Sequence, residues 1–390
     1  MAKARILAPW LGDEERSAVY HCVSRVVERQ FHFGKAEKEQ FVKLMRVYEA
    51  FCGVKVLSYC VMSNHFHILV EVPPRPEGGI SDEEILDRLA LVQQPESVAV
   101  LREVFESYQG GNVTEKGREA HEALREKYLS RMWDLGKFMK CLKQRFSRWF
   151  NLTHQRKGTL WEERYSSSLV ESGYAALVTS AYIDLNPVRA GMVSDPKDYR
   201  WSSYAEAVAG GCLAREGIAS VVFEKDARET SGLARAEKDL EGYGWRSVAG
   251  RYRVFLFEEG GTPGQSQQAQ EVQGGEKSRR KGFTQAQIEK EIQRGGELGV
   301  VAKLHSQTRS LIDGAVIGSR SFVKGVIAQL NEQNYWPTPR KTEGSRLKIT
   351  PKAKPREPSR GNAAKKGGLI SPKKESTVEE LWSLRHLQKE

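Results

Sequence analysis

The sequence predicts an α+β fold: a small antiparallel sheet backed by helices. Three observations lead there. Two runs of β-branched and aromatic residues, VKVLSYCVM and HFHILVEV, flank Ser63-Asn64 in the pattern of a hairpin with a short polar turn. A third such run, AVYHCVSRVV over residues 18–27, stands ahead of them. Between it and the hairpin, Phe41, Leu44, Met45, Tyr48 and Phe51 recur at helical spacing, and Gly53 stands where a helix C-cap would. The order strand, helix, strand, strand, helix is that of a layered sheet with helices packed on it.

The elements follow in order. Pro73-Pro74 ends the second hairpin strand. Residues 75–130 read as an insertion, Gly/Pro-rich at first and then acidic and helical, as in SDEEILDRLALV. A helix over residues 135–151 carries Phe138, Met139, Leu142, Phe146 and Trp149–Phe150 at three- and four-residue steps. GTLWEERYSSSLVE reads as extended or irregular. A short helix over residues 174–185 stops at Asn186-Pro187, since the residue before a proline resists the helical conformation. Residues 1–210 are therefore expected to form one domain that includes the insertion, and residues 211–257 an α/β or helical extension. Residues 258–282 are a linker by composition, residues 283–334 a small helical domain, and residues 335–390 a basic, disordered tail.

Composition bounds the function. With 39% hydrophobic and 28% charged residues, the chain is expected to be soluble and globular with some disordered length. No apolar run is long enough to span a membrane, and the N-terminal stretch lacks the apolar core of a signal peptide. The five cysteines are odd in number, and no two are spaced as CxxC, so neither a disulfide framework nor a zinc knuckle is indicated. A cytoplasmic, nucleoid-associated location is the expectation. The net charge of +11 and pI near 9.3 point towards a polyanion. Residues 340–374, however, hold twelve Lys/Arg against two Glu, so nearly all the excess sits in one tail. Such a run also fits a merely solvated segment, and basicity alone does not establish DNA binding.

Two short motifs carry chemistry. In His65-Phe66-His67, strand alternation projects both imidazoles from one face, where they can close on a metal ion. Alone, the pair also reads as polar residues satisfied beside a core. In Tyr182-Ile183-Asp184-Leu185-Asn186-Pro187, Tyr182 and Asn186 share a helix face four residues apart, as a metal-assisted attack on phosphate would need. The plainer reading makes Tyr182 a half-buried aromatic and Asn186 a helix terminus.

Taken together, these strings resemble a known family. SYCVMSNHFHILVEVP, then SAYIDLNPVRAGMV and DYRWSSY, with YHCVSR ahead and GTLWEERYSSSLV in the middle, are similar to the REP-associated tyrosine transposases of the His-hydrophobe-His single-tyrosine superfamily. The resemblance spans residues 18–207; the insertion is longer than the pattern, and the chain beyond residue 210 is covered only loosely. It implies a ferredoxin-like antiparallel sheet with both histidines on a central strand. It also implies metal ligands at His65, His67 and Asn186, a nucleophile at Tyr182, and Mg²⁺ or Mn²⁺ as cofactor. Two imidazoles favour Mn²⁺ on chemical grounds, and the choice stays open. The implied partner is single-stranded DNA near a palindromic hairpin, and the implied product a 5′-phosphotyrosine with a free 3′-hydroxyl. Monomer and homodimer both occur in the superfamily. Tyr165 and Tyr174 are rival nucleophiles, but neither is followed four residues later by Asn, Gln or His.

DNA contacts are expected from Arg145, Arg148, Trp149, Arg156 and Lys157, which mix basic and aromatic character with His154 nearby. An ordinary amphipathic helix with Trp149 in the core accounts for the same pattern. Trp161, Arg164 and Arg189 lie in family-like strings and serve either substrate or fold. Ser319 or Ser321 can cap a helix carrying Arg320 and Lys324, as a groove reader or a plain packing helix. The alternative function is a catalytically silent hairpin-DNA-binding protein derived from a transposase.

Overall fold

The structure is a computed structural model that describes residues 6–11, 16–27, 33–108, 114–229, 244–259, 316–333 and 382–383. Strand β1 (Ala18–Arg25) leads into helix α1 (Lys35–Cys52), which ends at Gly53 in the left-handed conformation with φ 63°, a geometry glycine adopts without steric cost. The hairpin β2 (Lys55–Val61) and β3 (His65–Val72) follows. Helices α2 (Asp82–Ala90), α3 (Pro95–Ser107) and α4 (Glu115–Leu129) fill the insertion. Helix α5 (Leu135–Thr153), strand β4 (Ser166–Val170), helix α6 (Tyr174–Asp184) and the single turn α7 (Asn186–Arg189) come next. Beyond them lie α8 (Ser203–Val208), α9 (Cys212–Glu229) and α10 (Trp245–Glu259), then β5 (Val316–Gly318), α11 (Arg320–Glu332) and β6 (Trp382–Ser383).

The sheet order is β2-β3-β1-β4-β5-β6. Antiparallel pairs join β2 to β3, β3 to β1 and β1 to β4, so β1–α1–β2 and β3–α5–β4 are both parallel crossovers. This is the βαββαβ arrangement of a ferredoxin-like sheet, as expected. It is extended at one edge by β5, parallel to β4, and by β6. Within the span expected to form a C-terminal helical domain, β5 enters this sheet, and Val323, Val326 and Leu330 of α11 enter the same core as α1 and α5. Ser319 caps α11 by accepting a hydrogen bond from the Phe322 amide at 3.2 Å. The linker from residue 260 on, and most of the basic tail, lie outside the described residues.

The two faces of the sheet bury different layers. On one, Phe66 and Ile68 of β3 meet Phe41 of α1 and Phe146 of α5, with Phe41–Phe66 and Phe41–Phe146 ring centroids 4.6 and 5.2 Å apart. Each such side chain contributes about 1.5–3 kcal/mol on burial. On the other face, Val19, Leu57, Cys60 and Leu69 pack against α6, α9 and α10. Helix α9 crosses β2 closely at Gly217, where a Cβ would lie 2.6 Å from the Leu57 carbonyl oxygen. Asp184, at the end of α6, is fully buried and tied to three partners. The Ser203 hydroxyl and Tyr204 amide donate to its Oδ1 at 2.8 and 3.1 Å, and the Tyr252 hydroxyl donates to Oδ2 at 2.7 Å. These bonds fasten α6 to α8 and α10.

Burial outweighs those donors and lifts the Asp184 carboxyl to about 7. The folded state therefore holds this proton more tightly than the unfolded chain. The resulting stabilisation is complete below the unfolded value of 3.8 and is lost as pH rises towards 7. From pH 5 to pH 8 the loss should be on the order of 2 kcal/mol. The Tm difference between the native chain and Asp184→Asn should shift against the native chain over that range; a difference that stays constant would contradict this ionisation.

Candidate active site

β3 lies between β1 and β2, and its register places the two histidines. His65 pairs with Arg25 and His67 with Val23 on one side, and Cys60 with His67 on the other. Alternation sends His65, His67 and Leu69 to the α6 face and Phe66 and Ile68 to the aromatic core. The His65 and His67 ring centroids are 5.1 Å apart. His21 of β1 projects from the same face, and its Nε2 lies 3.0 Å from Nδ1 of His67, with the rings stacked at 5.2 Å. No motif in the sequence marks His21 as a site residue. Its signal was its position on β1 in phase with Val19 and Val23, legible only once the pairing with β3 is known.

The hydrogen bonds set the free nitrogens. The Asn64 Oδ1 can only accept, so His65 Nδ1 donates to it at 2.7 Å, and the lone pair is left on His65 Nε2. When His67 Nδ1 donates to His21, His67 Nε2 likewise keeps its lone pair. Burial, helped by the nearby Arg25 charge, pushes His65 down to about 4. Burial, then His21, His65 and Arg25, drives His67 well below the ordinary histidine value. Both rings are therefore neutral at physiological pH, the form a metal ligand requires.

Tyr182 comes from α6, which is buried along its length from Ala175 to Asp184. Its ring is T-shaped to His67 at 5.8 Å and to His21 at 6.2 Å, and the Arg189 guanidinium carbon stands 4.9 Å over it. Only 7% of Tyr182 is exposed. Asn186, one turn on, donates from Nδ2 to the Tyr182 and Ile183 carbonyls at 3.0 and 3.2 Å, which leaves its Oδ1 without a hydrogen bond among the described residues. Two imidazole nitrogens and an amide oxygen make a chemically coherent donor set for a divalent ion. Among the described residues no three His, Cys, Asp or Glu side chains are grouped as ligands.

The structure draws together His65, His67 and Tyr182, with Arg189 beside them. The other residues expected to contact DNA lie elsewhere. Arg145 and Arg148 are exposed on α5, and Trp149 is half-buried against Phe146. Trp161 is buried in the aromatic core, 5.5 Å from Phe66, with its Nε1 donating to the Ser147 hydroxyl at 2.7 Å. Arg156 is half-buried, and Lys157 and Arg164 are exposed. Tyr165 is buried, and Tyr174 is half-buried against Phe255 of α10. Among the described residues no helix is long and apolar enough to cross a membrane.

Residues 15–78, which hold β1, α1, β2 and both histidines of β3, match the model of the family described as "Transposase IS200 like". The resemblance to transposases read from the sequence is borne out over this segment; Tyr182 and Asn186 lie beyond it. No curated protein matches the chain at a significant level. Among solved structures the chain is similar to a REP-associated tyrosine transposase bound to a REP hairpin. That match has a TM-score of 0.34 and 13% identity, and covers 54% of this chain and 87% of the other.

The neutral state of the site is directly measurable. Imidazole nitrogen NMR should give His65 a titration midpoint near pH 4. A midpoint near the ordinary value of about 6.5 would contradict the desolvated site.

Proposed function

We propose that the chain cuts and rejoins single-stranded DNA at hairpin-forming repeats through a covalent bond to Tyr182. In this reading His65, His67 and Asn186 hold a divalent metal. The observation that carries it is the contact of Tyr182 with His67, 5.8 Å between ring centroids, made within one chain by elements 115 residues apart. The transposase-family match over residues 15–78 supports the same class of chemistry, and the motif resemblance supports hairpin DNA as the substrate.

When bound, Mg²⁺ or Mn²⁺ would supply Lewis-acid polarisation of the scissile phosphate. The chain's own residues do the rest. His65 and His67 stay neutral and present nitrogen lone pairs. Arg189 sets a fixed positive charge beside the ring, where negative charge grows on the phosphorus-bound oxygens. The Tyr182 hydroxyl gives up its proton to solvent and its oxygen bonds to phosphorus; the bond to the 3′ oxygen breaks, and that oxygen takes up a proton. A free phenol is almost wholly protonated at neutral pH, so proton loss must accompany the attack. The phosphotyrosine keeps the energy of the broken phosphodiester, and an incoming 3′-hydroxyl can reverse the step without a nucleotide cofactor.

The test is incubation with labelled hairpin oligonucleotides from the gene's flanking DNA, with Mn²⁺ or Mg²⁺, read on denaturing gels. A metal-dependent protein–DNA adduct is expected, and Tyr182→Phe should abolish it while leaving hairpin affinity within about twofold. Tight hairpin binding with no adduct under either metal would overturn the enzyme reading in favour of a silent DNA-binding protein.

A further inference from the structure

Away from Tyr182, a cavity of about 780 Å³ opens between the outer face of α5 and residues 158–165. Lys137, Lys140, Lys143 and Arg164 line it, and Trp161 and Tyr165 contribute apolar wall. The three lysines recur at three-residue steps on one helix face and span about 9 Å along the axis at the usual helical rise. None of the four cations forms an ion pair among the described residues, although Asp134 and Glu163 also line the cavity. Asp134 instead caps α5, accepting from the Lys137 amide at 2.8 Å, and Glu163 offers Lys143 its backbone oxygen at 3.0 Å. Lys143 is half-buried, its ammonium 5.0 Å over the Trp161 ring. Burial, and then the Arg164 charge, pull its pKa down to about 8, as happens to a cation desolvated without a counter-anion.

The cavity wall is also joined to the strand end that carries His65. Trp161 bridges to Val26, and the Glu162 amide donates to the Arg25 carbonyl at 3.0 Å, where Arg25 is the cross-strand partner of His65. We infer that this cavity binds the sugar–phosphate backbone of the single-stranded flank beside the DNA hairpin, with Lys137, Lys140 and Lys143 on phosphates and the apolar wall against sugar or an unstacked base. A row of unpaired cations over an apolar wall fits a nucleic-acid strand better than an isolated anion, which would fill little of the volume. The identity of the strand rests on the proposed DNA-cutting function; the cavity's preference for a polyanionic strand does not.

The experiment compares the native chain with Lys137→Gln/Lys140→Gln, both exposed positions, on hairpins with and without a long single-stranded flank. Affinity is measured across a salt series. For the flanked hairpin, the variant should lose about tenfold in affinity, and its dependence of log affinity on log salt should become shallower by about 1.4. For the flankless hairpin nothing should change. An unchanged slope on flanked DNA would overturn the inference even if the native chain forms the Tyr182 adduct. The expected slope change without any adduct would keep the inference and sink only the catalytic reading. Poly-glutamate binding that the substitutions abolish, with flanked-DNA affinity intact, would instead assign the cavity to an acidic peptide and overturn it. Should the double variant misfold, the single variant Lys140→Gln provides the same slope test, with an expected change of about 0.7.

Discussion

Pairing on both sides fixes the register of β3, and the site depends on it. His65, Phe66, His67 and Ile68 alternate between two faces with opposite chemistry. A slip of one residue would drive both imidazoles into the layer of Phe41 and Phe146 and turn Phe66 towards Tyr182. The hydrophobic demand of that aromatic layer therefore holds the histidines on the α6 face. The same pairing brings His21 into line, because β1 runs antiparallel beside β3 and its alternate residues face the same way.

From that placement the electrostatics follow. The α6 face is itself apolar, so the histidines are desolvated and stay uncharged, and the His21 and Asn64 bonds orient their rings. α6 has no polar face to offer solvent: it is buried from Ala175 to Asp184, and it is held by Asp184 rather than by amphipathic packing alone. The carboxyl that anchors the helix lies two residues from Tyr182. Stability of the layer and position of Tyr182 are thus coupled through one buried group, which carries a desolvation penalty of its own.

Much of this was legible in the sequence because it is local. Period-two runs gave β1 and the hairpin, helical spacing gave α1 and α5, and Asn186-Pro187 marked the end of α6. His65-Phe66-His67 placed two imidazoles on one face without any tertiary information. What was not legible depends on packing between distant segments. His21 needed the β1–β3 register. Trp161, whose family-like string left it serving either substrate or fold, is core because residues 158–165 fold onto α5, and the same fold creates the lysine-lined cavity. The three residues of β5 are too short to signal a strand against helical surroundings, and their pairing with β4 is set by Leu169 and Val170, about 150 residues earlier. Arg189 read only as a basic residue in a motif until α7 turned it back over Tyr182.

In the proposed reaction Tyr182, and no other tyrosine, forms the bond to DNA. Trypsin should release residues 165–189 as one peptide, which contains Tyr165, Tyr174 and Tyr182 together. Fragmentation mass spectrometry of that peptide after reaction with a hairpin oligonucleotide and nuclease trimming reads the attachment site directly. A 5′-linked nucleotide phosphate on Tyr182 alone is expected. The same mass on Tyr165 or Tyr174, or on a peptide elsewhere in the chain, would contradict it.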